Sequence, residues 1–261
     1  MTRPPARTHL TASVLALCTL LGTTACSALS SPPTAEQAPI VPTTSAPPKS
    51  PTPSPAAAGL TAAQAQAALV TDADLGEPWT PTQGAATWRD GLLKAKTKRP
   101  DCQRLLDALY ADDLFGADAQ PRAVVGLDDE WNEAQLRYQV VARKPADVDR
   151  TLAWLKTLPK KCGQFAARTV ANGVQGVQVT DSRLPKVGDG RQGLLIMMTG
   201  ESPDGEPTTL TLDVAAVRVG DDAIGLTNGG LGDVMTDATR TAVQLGAERL
   251  KEIRKQARVQ V

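Results

Sequence analysis

A single histidine, His9, stands in 261 residues. It falls in a segment read below as a removable leader, so the mature protein is expected to have no imidazole. Ser-His-Asp and Cys-His triads are then excluded, as are histidine zinc sites and haem held by His. After Ala57 only Ser182 and Ser202 occur, neither within G-x-S-x-G. With no His to activate either serine, covalent hydrolase chemistry is not expected. Aromatic residues make up 3%, and all lie between Trp79 and Phe165. The rest of the chain must build its core from Val, Leu, Ile, Ala and Met. Charge of one sign is also missing. Lys plus Arg equal Asp plus Glu at 28 each. Removing residues 1–25 deletes Arg3 and Arg7 and no acid, which leaves 26 basic against 28 acidic side chains. That balance gives no footprint for nucleic acid and no polybasic membrane surface.

What is present begins with a leader. Arg3 and Arg7 precede an apolar stretch over residues 10–21, and Gly22, Thr23, Thr24 and Ala25 lead to Cys26. Positive, then apolar, then small is the order of a secretory signal peptide, and the apolar part is too short to span a bilayer comfortably. Residues 22–26 resemble the bacterial lipobox, with Thr23 where Leu is usual. That resemblance implies lipidation at Cys26 and anchoring by acyl chains. Cleavage at an ordinary small-residue site, with free secretion, is the alternative. Residues 27–56 carry nine prolines among Ser, Thr and Ala, too little apolar surface to fold and a bias to extended conformers. The expected organisation is a signal peptide over 1–25, a lipidated Cys and stalk over 26–57, and a folded domain over 58–261.

Cys18 leaves with the leader and Cys26 takes the lipid. Cys102 and Cys162 remain, an even pair in an exported chain, which predicts one disulfide. Closing a loop of that length stabilises by about 4 kcal/mol in the chain-entropy model. There is no C-x-x-C to support redox activity.

Within the domain, Thr61 and Gln64 have capping-box spacing before an Ala-rich helix over 62–70. Asp101 is the expected cap of a helix over 102–113. Alternation predicts strands over 122–127 and 133–143, joined by a turn at Asp128, Asp129 and Glu130. Pro145 opens a third helix to Leu158, which Pro159 is expected to stop. Strands are predicted over 164–170, 174–180, 193–199, 208–219 and 223–227, with turns at 202–205 and 220–222. Gly229, Gly230 and Gly232 read as a break, and residues 233–257 as a long final helix. This order predicts an α+β fold: a twisted antiparallel sheet, helices packed mainly on one face, and a long C-terminal helix.

The remaining motifs carry little chemistry. Gly230 and Gly232 lack the third Gly and the Lys of a phosphate loop. Asp72 to Glu77 alternates carboxylates like part of a calcium loop, but Gly76 is one place early and Gln83 stands where Glu is needed. Asp112, Asp113 and Asp118, and separately Asp128, Asp129 and Glu130, read as solvated turns. No cofactor or metal is expected. Trp131 lies at a predicted hairpin tip, where a core residue is not expected, and is the candidate for a ligand or partner contact. Trp79 is a second candidate contact, with burial as its default; Trp88 and Trp154 read as core.

One family resemblance covers roughly residues 60–257. The run from Ala67 to Gly76 followed by Trp79, the Cys102 and Cys162 spacing, and the run from Leu212 to Asp222 before the last helix are similar to the PknH-like extracellular sensor domains and their stand-alone lipoprotein relatives in actinobacteria. The resemblance implies a twisted antiparallel sheet with helices, a cleft able to take a ligand, and sensing without catalysis. The chain departs from the kinase in having one candidate disulfide instead of two, and no kinase domain or transmembrane helix. It carries over no ligand residues. The expected function is a non-catalytic, lipid-anchored binding or sensor module on the extracytoplasmic face of the cell membrane, whose partner is a small ligand or an envelope protein. The alternative is an accessory structural lipoprotein docking on another envelope protein. A deep apolar cleft would favour the first, and a flat exposed apolar patch around Trp131 the second.

Overall fold

The computed structural model describes residues 60–119 and 121–259. The leader, Cys26 and the proline-rich segment lie outside the described residues. The elements run α1 (Ala62–Ala67), α2 (Asp72–Leu75), β1 (Trp79–Pro81), a π-helical turn (Arg89–Leu93), β2 (Ala95–Lys96), α3 (Pro100–Ala111), β3 (Pro121–Asp129), β4 (Ala134–Ala142), α4 (Pro145–Lys161), β5 (Gln164–Thr169), β6 (Val174–Ser182), β7 (Gly190–Glu201), β8 (Pro207–Val219), β9 (Asp222–Leu231) and α5 (Thr236–Val259). The strands form one sheet in the order β1-β3-β4-β9-β8-β7-β6-β5-β2. Every neighbouring pair is antiparallel. The fold is α+β, with the long C-terminal helix in place. Among the described residues no helix is long and apolar enough to cross a membrane.

Helices cover both faces, where packing mainly on one was expected. Alternation along β8 shows why. Leu210, Leu212, Val214 and Ala216 point into a core with Leu105, Leu106 and Leu109 of α3 and Val148, Leu155 and Leu158 of α4. Ala215, Val217 and Val219 point into a second core with Ala65 of α1 and Ala242, Val243, Ala247 and Leu250 of α5. A strand apolar on both faces demands cover on both. Cys102 of α3 is bonded to Cys162 at the end of α4, with Cα atoms 5.6 Å apart. The bridge joins two helices of the same layer.

Local boundaries moved for identifiable reasons. Pro100, not Asp101, opens α3, with Arg99 as the preceding cap. Pro159 sits inside the last turn of α4, which continues to Lys161. Residues 229–231 are strand: Gly229 lies where a Cβ would come within 2.9 Å of the Trp88 ring, so a bare backbone is what lets β9 pass beneath it. Thr71 and Asp74 form a capping box on α2, and Asp74 pairs with Arg249 of α5. The calcium-like spacing there is a helix cap.

The antiparallel register alternates the turns between two ends of the sheet. At the base lie the connection 183–189, the β8–β9 turn, and the entry of the chain at Leu60, whose carbonyl accepts from Arg122. At the opposite, tip end lie the turns 130–133, 170–173 and 202–206 and the exit of β9 into α5.

Candidate functional site

The tip end is built around Trp131. β3 and β4 pair down to Asp129 and Ala134, leaving a four-residue turn. Asp129, 1% exposed, accepts at Oδ1 from the backbone N–H of Trp131 (3.0 Å) and Asn132 (3.1 Å), and at Oδ2 from Asn132 Nδ2 (2.6 Å). This Asx arrangement fixes the turn from below, and Glu133 completes it at φ 49°. The fixed turn holds the Trp131 indole 75% exposed. An indole left in water forgoes the largest burial gain that a side chain offers, so its exposure on an ordered turn keeps Trp131 the candidate contact.

An open groove of about 370 Å³ runs beside the turn, between residues 84–88 and the carboxylates Asp128, Glu130 and Glu133. It is preformed. Thr82 Oγ1 donates to Asp128 Oδ1 at 2.6 Å, the Gln83 N–H donates to Asp128 Oδ2 at 3.1 Å, and Gln135 Nε2 spans Asp128 Oδ1 and Gly84 O. Trp88 lines this groove, with its Nε1 buried and lacking an acceptor. A second open space of about 440 Å³ adjoins it. Its cations are already matched, since Asp112 lies 2.9 Å from Arg89 and 3.0 Å from Arg137. Three residues of the acidic turns are therefore structural: Asp112 bridges two arginines, Asp128 pins a loop, and Asp129 shapes a hairpin.

Trp79, the other candidate contact, is 5% exposed and packs in the core shared by α1 and α5. Its position on an edge strand turns the ring inward, so the structure gives it a packing role. Trp154 lines an open space beside α3, where the Arg104 guanidinium stacks 3.9 Å from its ring centre and covers that face of the indole. Cys26 lies outside the described residues.

The chain is similar to the extracellular domain of PknH from Mycobacterium tuberculosis. The identity is 15%, over 76% of this chain and 99% of that one, with a TM-score of 0.44. It is also similar to an uncharacterized protein from Rhizobium leguminosarum, at 16% identity over 47% of this chain and 97% of that one, with a TM-score of 0.21. No protein-family model and no curated protein matches it.

Sequence reasoning missed a buried polar nest under the first turns of α5. Asp213 is 0% exposed, and neither carboxylate oxygen has a hydrogen-bond partner. Asn228 faces it across β8–β9; its Nδ2 donates to Met235 O (3.1 Å) and Thr239 Oγ1 (3.3 Å), while its Oδ1 is unpartnered. Burial raises the Asp213 pKa, and the nearby Ser182 and Thr239 hydroxyls and the Arg240 charge offset this only in part. The available signal was Asp213 itself, a carboxylate between Leu212 and Val214 in the middle of a strand.

Proposed function

We propose that the chain is a non-catalytic binding module, held at the extracytoplasmic face of the membrane through a lipid on Cys26, and that it engages a partner with the tip end of its sheet. The leader, the proline-rich stalk and the paired Cys102 and Cys162 support an exported location. The observation that carries the reading is the placement of Trp131, fixed by Asp129 on the end of the sheet opposite Leu60, the first described residue. Of the two readings open from sequence, docking on an envelope protein is favoured, because the space beside the Trp131 turn is an open groove and the indole stands out from the surface.

Cys26→Ala should move the protein from the membrane fraction to the medium. A photo-crosslinker at Asn132 should capture a discrete partner in cells, and one at Lys251 on the far part of α5 should not. Membrane retention of the Cys26 variant would remove the anchor. Equal labelling from both positions would remove the binding site.

A further inference from the structure

We infer that the tip end is a docking face for a basic polypeptide carrying apolar side chains of its own, an inference that rests on the chain being a binding module. Four segments form this face: 130–133, 170–173, 202–206 and 231–235. They contain Glu130, Glu133, Asp204, Glu206 and Asp233, all exposed, and not one Lys or Arg. None of these five carboxylates is in an ion pair among the described residues. The base is the opposite. There Arg218 takes Asp149 and Asp189, and Arg254 takes Asp221 and Asp222. In the 183–189 connection Arg183 and Lys186 are exposed cations outside any ion pair among the described residues, so the base carries free cations where the four tip segments carry free carboxylates. Arg168, paired across from Val174, is an exposed cation just outside the 170–173 turn.

The apolar exposure has the same address. Trp131, Val170, Val174, Leu231 and Met235 are the large apolar side chains exposed among the described residues. Each lies on a tip-end segment or, for Val174, at the first residue of β6 beside one. From β4 to β6 the face spans four inter-strand steps, roughly 20 Å.

This combination selects the occupant. An anionic leaflet repels a face of carboxylates. A second copy would set like charges against each other across a two-fold axis. A Lys- or Arg-rich polypeptide answers both features: its cations pair with Glu130 and Glu133 and lie over the Trp131 ring, and its apolar residues cover Leu231, Met235 and Val170. Such a face steers association through charge, and salt weakens it.

The test uses the full chain and a labelled peptide of alternating Lys and Leu, with a Glu and Leu peptide as control, read by fluorescence anisotropy. At low salt the basic peptide should bind saturably and the acidic one should not. The pair Glu130→Gln and Glu133→Gln, and separately Trp131→Ala, should each weaken binding about tenfold. Glu252→Gln, an exposed carboxylate toward the base, should leave it unchanged. These side chains are exposed, and thermal melts confirm that each variant folds. Absence of binding at low salt, equal binding of the acidic peptide, or equal loss with Glu252→Gln overturns the inference. A cellular crosslink from Asn132 to an acidic partner would also overturn it while leaving the binding module standing.

Discussion

Gly246 of α5 presses its backbone against the hydroxyl of Tyr138 on β4: a Cβ at this glycine would overlap Tyr138 Oη. Tyr138 is fully buried and its hydroxyl has no hydrogen-bond partner; burial drives its pKa above the usual value. Helix propensity alone favours Gly246→Ala by about 1 kcal/mol. The contact reverses the sign, and the variant should lose about 1–3 kcal/mol through overpacking. Tyr138→Phe removes the unpartnered oxygen and should be neutral or stabilising. The double variant should recover most of the loss. Denaturant melts of the four proteins measure the coupling, and additive effects would sink the account.

Asp213 gives the pH dependence. Its carboxyl is raised above the ordinary 3.8 by burial. The folded state therefore holds this proton more tightly than the unfolded chain does. Stability falls as pH climbs from about 3.8 through the folded pKa. Asp213→Asn removes the charge and supplies two donors beside the free Asn228 Oδ1. It should stabilise at neutral pH by about 1–3 kcal/mol. The gain should shrink as the pH approaches 4. A gain that is the same at both pH values would show that ionisation is not its cause.

Asp74 and Arg249 act in the opposite sense. Arg249 Nη2 lies 2.5 Å from Asp74 Oδ1, and Arg249 Nη1 also donates to Leu69 O. The hydrogen bond from Arg249 holds the Asp74 pKa at about 2. The stability from this pair is present above the unfolded value and is lost as pH falls from about 3.8 through about 2. Arg249→Ala should destabilise by about 1–3 kcal/mol at neutral pH and release α2 from α5. Amide exchange over residues 69–76 should rise with it. Unchanged exchange there would show that the pair does not hold the segment.

Legibility followed the range of the interactions. α3, α4 and α5 repeat apolar residues at helical spacing, and β4, β6 and β8 alternate or run apolar, so each announces itself within its own window. The Cys102–Cys162 bond was legible because the chain offers no other pairing after the leader and Cys26 are set aside. β1 and β2 are three and two residues long and exist only through partners, Asp129 for Trp79 and Thr169 for Ala95. No local pattern encodes them. The strand character of Gly229 depends on Trp88, far away in sequence. At the tip, Trp131 was visible as an aromatic residue in a turn. Its fixation by Asp129 and the gathering of four turns at one end needed the register of the whole sheet.

The disulfide bears on the layer that carries the groove. Cys102 and Cys162 are 1% and 0% exposed and join the start of α3 to the end of α4 over a sequence separation of 60. In the chain-entropy model the bond stabilises by about 4 kcal/mol. Replacing both cysteines by Ala should cost that much and leave two small cavities. The loss should fall on the core of α3 and α4, in which Trp88 also packs. Trp88 lines the groove beside the Trp131 turn, so its environment reports the coupling. With Trp79, Trp131 and Trp154 changed to Phe, the Trp88 emission should shift red in the double Ala variant at temperatures where the α5 layer stays folded by amide exchange. Simultaneous loss of both layers would mean that the two cores unfold as one unit and that the bridge stabilises the whole sheet.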